Sequence, residues 1–237
     1  MVKGKFRNES KQIDILSAIK RLFPLSLKRF LRAKLRLEPL QIIMRKIMEK
    51  NIDFRDLDAL EVFGFTGEYH TIIYAPFVRS LEVWEIDNNC ETKLKVNLPD
   101  AIVKITDSYK EIKKTSKRFD LIVIDNPISI CEGHCEHFDL FPDVFSVAKD
   151  NAIFIIDVIP QVTSVDIRNY PGLFDKKHLE IRSRFYEAVN PAHLLQKEIA
   201  DTYKHLCEAN NFSLEWYFFQ RKTSVYYFVC GMKRTAN

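Results

Sequence analysis

Residues 57–67 read Leu57-Asp58-Ala59-Leu60-Glu61-Val62-Phe63-Gly64-Phe65-Thr66-Gly67, and residues 81–87 read Leu81-Glu82-Val83-Trp84-Glu85-Ile86-Asp87. Each holds a short run rich in β-branched and aromatic side chains with an acid near its end. Counting outward, such runs occupy 59–63, 81–86, 101–105, 119–124 and 152–158, with helix-length segments or loops between them. Strands buried on both faces show continuous apolarity, so this alternation predicts βαβ units and a parallel sheet. After a helical stretch around 192–210 come two further runs, 214–220 and 224–232, with only Arg221, Lys222 and Thr223 between them. That spacing predicts a hairpin. The expected fold is α/β: a doubly wound, mostly parallel seven-stranded sheet with a C-terminal antiparallel hairpin, plus N-terminal helices.

The 237 residues are 46% hydrophobic and 12% aromatic, enough for one sizeable core, which excludes a disordered or low-complexity chain. The net charge of +4 hides an asymmetry: residues 1–50 hold 14 Lys+Arg against 4 Asp+Glu, and the remaining 187 residues hold 22 against 28. Residues 1–55 are expected to be a basic helical extension and 56–237 the α/β domain. Within the extension, Pro39 is expected in the first turn of a helix whose Ile42, Ile43, Ile47 and Met48 face inward. Its basic stripe reads first as a solvated outer face, second as a peripheral membrane contact through residues 1–50. Nucleic-acid contact is the third reading, supported by charge alone. No stretch approaches the roughly 20 apolar residues of a spanning helix. Residues 1–11 lack an apolar signal-like core, and five cysteines without framework spacing read as reduced thiols. A cytoplasmic location is therefore expected.

The chemistry concentrates at the run ends. Glu61 precedes a turn containing Gly64, Thr66 and Gly67, and glycine lets backbone approach a ligand closely outside the carboxyl ends of strands. Glu85 ends the second run, where a carboxylate can accept hydrogen bonds from a ribose diol. Asp107 and Ser108 follow the third, and Asp125-Asn126-Pro127 the fourth. Any one of these acids also reads as a helix cap. Three acids at consecutive run ends point together to a ligand crevice.

This order of strands and strand-end motifs resembles the class I S-adenosylmethionine-dependent methyltransferases, over about residues 57–232. The resemblance implies S-adenosylmethionine as cofactor, with Glu61, Gly64, Thr66 and Gly67 around its methionine part, Glu85 at the ribose, and Asp107 with Ser108 at the adenine. It places Asp125 at the reacting methyl group. The common family turn, acid-x-Gly-x-Gly-x-Gly, is kept here only at Gly67. A variant among amino-methylating members, acid-x-Phe-x-Gly-Ser/Thr-Gly, matches Phe63, Thr66 and Gly67, and Phe65 departs from it. The implied activity is methyl transfer to an oxygen or nitrogen of a small molecule or sugar.

Downstream, Cys131, His134, Cys135 and His137 crowd into seven residues. Four such ligands suggest zinc, but structural zinc ligands come as pairs separated by a long segment, so no metal is expected. His134 and His137 are instead candidate general bases beside Asp125, because imidazole titrates near neutrality. The bland alternative is a substrate loop with incidental His and Cys. Residues 160–191, with Arg182, Arg184, Phe185 and Tyr186, read either as a lid over an anionic or sugar-like acceptor or as a surface helix with solvated charges.

Three other functions compete. A non-catalytic binding module that lost the cofactor is favoured by Phe65. An aminopropyltransferase-like enzyme is suggested by Glu85-Ile86-Asp87, against which stands the neutral Asn126-Pro127. A nucleic-acid amine methyltransferase lacks support, since Asp125-Asn126-Pro127-Ile128 has neither the second proline nor the stacking aromatic of that motif.

Overall fold

The computed structural model describes residues 38–126, 128–131, 135–161, 163–222 and 224–235. The chain divides into two compact units, Met1–Glu38 and Pro39–Asn237. The expectations for residues 1–37, including most of the basic stripe, lie outside the described residues. The second unit begins with helix α1 (Pro39–Met48), which buries Leu40, Ile43, Met44 and Ile47. Proline suits the first turn, whose N–H has no intrahelical partner anyway. The inward face differs from the expected one. At 100° per residue Leu40, Ile43, Met44 and Ile47 form one face, with Ile42 opposite and Met48 on its flank. Met48 is accordingly 51% exposed.

The sheet has seven strands in the order β3-β2-β1-β4-β5-β7-β6. They are β1 (Asp58–Glu61), β2 (Ser80–Glu85), β3 (Ile102–Ile105), β4 (Phe119–Ile124), β5 (Ala148–Val158), β6 (Phe212–Arg221) and β7 (Tyr226–Arg234). The first five pair in parallel. β7 inserts antiparallel between β5 and β6, as the expected hairpin requires. Chain order reverses at β1, which lies between β2 and β4, so the carboxyl ends of β1 and β4 frame the crevice of a doubly wound sheet.

Both faces of the sheet are covered, which is why the strands read as continuous apolar runs. Leu60, Val62, Ile122, Ile124, Phe154 and Ile156 face one core, with Phe145, Tyr203 and Phe212. Ala59, Val83, Leu121, Val123, Ile153 and Ile155 face the other, with the apolar side of α1. β5 begins four residues before the expected 152. Lys149 there is polar yet structural: its Nζ reaches Asp58 at 2.6 Å and Asp120 at 2.7 Å, tying three strands at their lower ends.

The helices between strands are short: α2 (Thr71–Tyr74), α3 (Glu91–Asn97) and α4 (Ser108–Glu111). Between β4 and β5 only one α-turn, α5 (Ile128–Cys131), and 3-10 turns occur among the described residues. There Phe138, Leu140, Val144 and Phe145 pack apolar side chains on the sheet without a regular helix. Within 160–191 lie α6 (Ser164–Asn169) and α7 (Lys176–Tyr186), followed by α8 (Gln196–Ala209). No helix among the described residues is long and apolar enough to cross a membrane.

Candidate functional site

The turn after β1 bridges the two neighbouring strands. Val62 N–H donates to Val123 O at 3.0 Å, and Gly64 N–H to Trp84 O at 2.8 Å. A Cβ on Gly64 would meet Val83 Cγ1 at 2.2 Å. Gly67 has φ +68°, and a Cβ there would lie 2.7 Å from Leu98 Cδ1. Both glycines therefore let the turn close on its own framework. Phe65 adopts a left-handed φ of +45°, and its ring stacks with Tyr69 at 6.2 Å between centroids. These two rings line a small cleft of about 10 Å³, together with Phe63 and His70.

The acids at the strand ends do reach one edge, but most are already engaged. Glu85 Oε2 accepts the N–H of Phe65 at 2.5 Å and its Oε1 that of Asp87 at 2.8 Å. One carboxylate thus ties the turn after β1 to the end of β2. Asp107 caps α4 through the Tyr109 N–H at 3.1 Å. It also pairs with Lys110 at 3.0 Å. The Lys110 ammonium holds its carboxyl below the usual range. Ser108 Oγ donates to Val62 O at 2.6 Å, tying α4 to the end of β1. Thr66 is 4% exposed, and its hydroxyl has no hydrogen-bond partner among the described residues.

Glu61 is fully buried, and its Oε2 accepts from Tyr74 at 2.6 Å and Thr71 at 3.3 Å. The connection leaving the turn carries His70, Thr71 and Tyr74 back over the β1 end, so Glu61 anchors α2. Burial raises its carboxyl pKa, with His70 and Tyr74 opposing.

Asp125 is also fully buried. Its Oδ1 lies 2.5 Å from Lys222 Nζ, and His70 Nδ1 is 3.2 Å from its Oδ2, which also accepts from the Tyr227 hydroxyl. Burial opposes ionisation, but His70 and Lys222 outweigh it and hold this carboxyl well below the usual range. Asp157, close by on β5, goes the other way: burial and the Asp125 charge push its pKa far up. Sequence reasoning missed Asp157, His70 and Lys222. An acid inside the apolar run 152–158 was the available signal, since a buried charge needs a partner.

His137 is held on three sides. Its Nε2 lies 2.6 Å from Asn126 Nδ2, its Nδ1 2.8 Å from the Tyr109 hydroxyl, and its ring 3.8 Å from the Phe63 ring in a stack. It is therefore brought to the β1–β4 crevice, between residues following β1, β3 and β4. His134 lies outside the described residues. Among the described residues no group of three or more His, Cys, Asp and Glu is arranged to hold a metal ion. Burial pushes the Cys131 thiol up to about 12.

Residue 136 explains how the His137 loop is held. Glu136 is buried and receives hydrogen bonds from Arg182 Nη1, Tyr186 (3.0 Å) and the Ile159 N–H (3.1 Å). Arg182 is wholly buried and also donates to Ile159 O and Pro191 O, both at 2.7 Å. This corrects the reading of Arg182 as part of a cover for an anionic acceptor, or as a solvated surface charge. Its guanidinium is consumed inside the protein.

No family model matches the sequence, and no curated protein matches it. Solved structures do. Trm1 from Pyrococcus horikoshii, in complex with S-adenosyl-L-methionine, aligns over 85% of this chain and 57% of its own, at 11% identity and a TM-score of 0.58. A Pyrococcus horikoshii protein described as a transferase aligns over 78% of this chain and 60% of its own, at 14% identity and a TM-score of 0.51. This chain spans under two-thirds of the length of either. A likeness of this kind shows the fold alone, which this chain shares with both.

Proposed function

We propose that this chain, which carries the class I methyltransferase fold, transfers a methyl group from S-adenosylmethionine to an oxygen or nitrogen of a small molecule. The observation that carries the reading is Glu85, whose carboxylate joins the turn after β1 to the end of β2 beside the switch point. The bound cofactor of Trm1 supports the same ligand here.

The residues present fit that ligand. The buried Thr66 hydroxyl lacks a partner among the described residues, in the turn that would hold the methionine part. Each Glu85 oxygen keeps a second acceptor site for a ribose hydroxyl. Asp107, at the end of β3, would take the adenine amine. Glu61, Gly64 and Ser108 support this edge from beneath by the contacts described above. When bound, the cofactor supplies an electrophilic sulfonium methyl.

The chain's own task is to orient the acceptor and receive its proton. Asn126 donating to His137 Nε2 fixes the Nδ1–H tautomer, whose proton faces the Tyr109 oxygen. Burial pushes the Tyr109 hydroxyl up to about 12, so it stays neutral beside the imidazole. An acceptor that draws the Asn126 amide to itself frees Nε2 to take a proton. His137 is therefore the base in this reading, and Asp125 a buried acid at the end of β4.

The test is transfer of labelled methyl groups from S-adenosylmethionine to pools of small hydroxy and amino compounds. Label in the small-molecule fraction, lost in His137→Ala, is the expected result. Label found only in RNA or protein would refute the small-molecule acceptor, and no transferred label would refute the activity.

A further inference from the structure

We infer that Asp125, Asp157 and Tyr227 form an ammonium-binding pocket at the acceptor end of the crevice, and that Lys222 occupies it in place of a primary alkylamine ligand. Lys222 stands in the turn between β6 and β7. Because β7 runs antiparallel to β5, with Tyr226 opposite Val158, that turn lies at the same sheet edge as the carboxyl ends of β4 and β5. The lysine reaches inward across this edge. Its Nζ is 2.5 Å from Asp125 Oδ1 and 3.6 Å from Asp157 Oδ2, and it lies 4.8 Å from the centre of the Tyr227 ring. One carboxylate, a second buried acid and an aromatic face around one nitrogen are a recognition set for a cation.

A second observation points to a ligand rather than a finished ion pair. Asp157 is 1% exposed, and neither of its oxygens has a hydrogen-bond partner among the described residues. An ammonium carries three donors, and Lys222 places only one of them at hydrogen-bonding distance from these acids. An amine free of the turn's tether can approach both acids. Among the described residues, the other charged groups facing the pocket are His70, against Asp125, and Glu61, 3.7 Å from His70.

The ligand's class follows from the cost of the alternatives. Removing one partner of a buried ion pair leaves a charge without compensation. Withdrawal of Lys222 leaves Asp125 with His70 as its remaining cation, so the lysine is replaced without loss on condition that another cation enters. A neutral sugar or an anion does not meet that condition. The lysine side chain is 20% exposed, so its stem already marks a route from solvent to the pocket. A linear amine of similar length follows the same route. Naming that amine the methyl acceptor rests on the function proposed above, whereas the pocket itself does not.

The experiment uses the full chain without cofactor and n-butylammonium chloride as probe, so its outcome is independent of S-adenosylmethionine binding. Lys222→Ala is expected to unfold several degrees below the parent, and about 50 mM n-butylammonium to restore the difference saturably, as binding to the native state requires. Sodium chloride at equal ionic strength is expected to do neither. Calorimetry should show the parent protein binding the same amine about tenfold more weakly, because its own ammonium competes. Adding Asp125→Asn to Lys222→Ala should abolish binding. If Lys222→Ala does not fold alone, it should refold in the amine and not in sodium chloride; equal failure in both overturns the proposal. So does rescue by sodium chloride, or a parent protein without binding at about a hundred times the variant's Kd.

Discussion

Glu85 Oε2 accepts the backbone N–H of Phe65 at 2.5 Å, so a carboxylate at the end of β2 fixes a residue of the turn after β1. Its other oxygen accepts the N–H of Asp87. The same side chain thus shapes the edge on which the cofactor would lie and offers it the acceptor atoms.

Glu85→Gln replaces one of those oxygens with an amide donor that faces an N–H. The expected loss of stability is about 1–3 kcal/mol, the range for leaving a buried hydrogen-bonding group unsatisfied. Urea unfolding measures it, and an unchanged midpoint would show that the turn does not depend on this carboxylate.

Phe65 holds φ at +45°, a region that penalises any side chain with a Cβ. Phe65→Gly and Phe65→Ala both lose the ring that stacks with Tyr69, but only glycine relieves the backbone. The glycine variant should therefore be about 1 kcal/mol more stable than the alanine variant. Equal stabilities would mean that the turn relaxes in both.

The Glu136–Arg182 pair holds the loop that carries His137. Arg182→Met leaves Glu136 buried without its main cation, His178 remaining at 3.4 Å, with an expected cost of about 3–5 kcal/mol. Arg182→Met combined with Glu136→Gln should recover part of that, measurable by thermal unfolding. Burial acts to raise the Glu136 pKa, yet Arg182 and His178 outweigh it and leave the group below 4.5. A lowered pKa contributes stability above pH 4.5 that is lost as pH falls through the folded value. Acid unfolding of Glu136→Gln should accordingly be shallower than that of the parent protein.

His70 runs in the opposite direction. Burial disfavours its charged form, but Asp125 and Glu61 prevail and raise its pKa above 6.5. A raised pKa contributes stability below pH 6.5 that disappears as pH rises through the folded value. Between pH 6 and pH 9, roughly spanning that change, His70→Gln should lose less stability than the parent. Parallel pH profiles would place the imidazole's charge elsewhere.

The strands were legible because their apolar runs face two cores, one through Leu60 and Ile122, the other through Ala59 and Leu121. The hairpin was legible from its short turn. The start of β5 was not, because Lys149 and Asp150, ion-paired with Asp120 and Arg234, extend the strand beyond its apolar part. At the site, sequence spacing brought Glu85, Asp107 and His137 to one edge. It did not reveal that Glu61 would be spent on Tyr74, nor that Lys222 would reach Asp125 across 97 positions. Such partners depend on the packed sheet, and a charged residue in a predicted turn gives no sign of turning inward. Lone acids within apolar runs, such as Asp157, were the clue in the sequence.

Calorimetric titration of the full chain with S-adenosylmethionine tests the central claim most directly. Saturable binding of one cofactor per chain is expected, weakened about tenfold or more in Glu85→Ala and Asp107→Ala. No binding at about millimolar cofactor would contradict the methyltransferase reading and leave a fold that has lost its ligand.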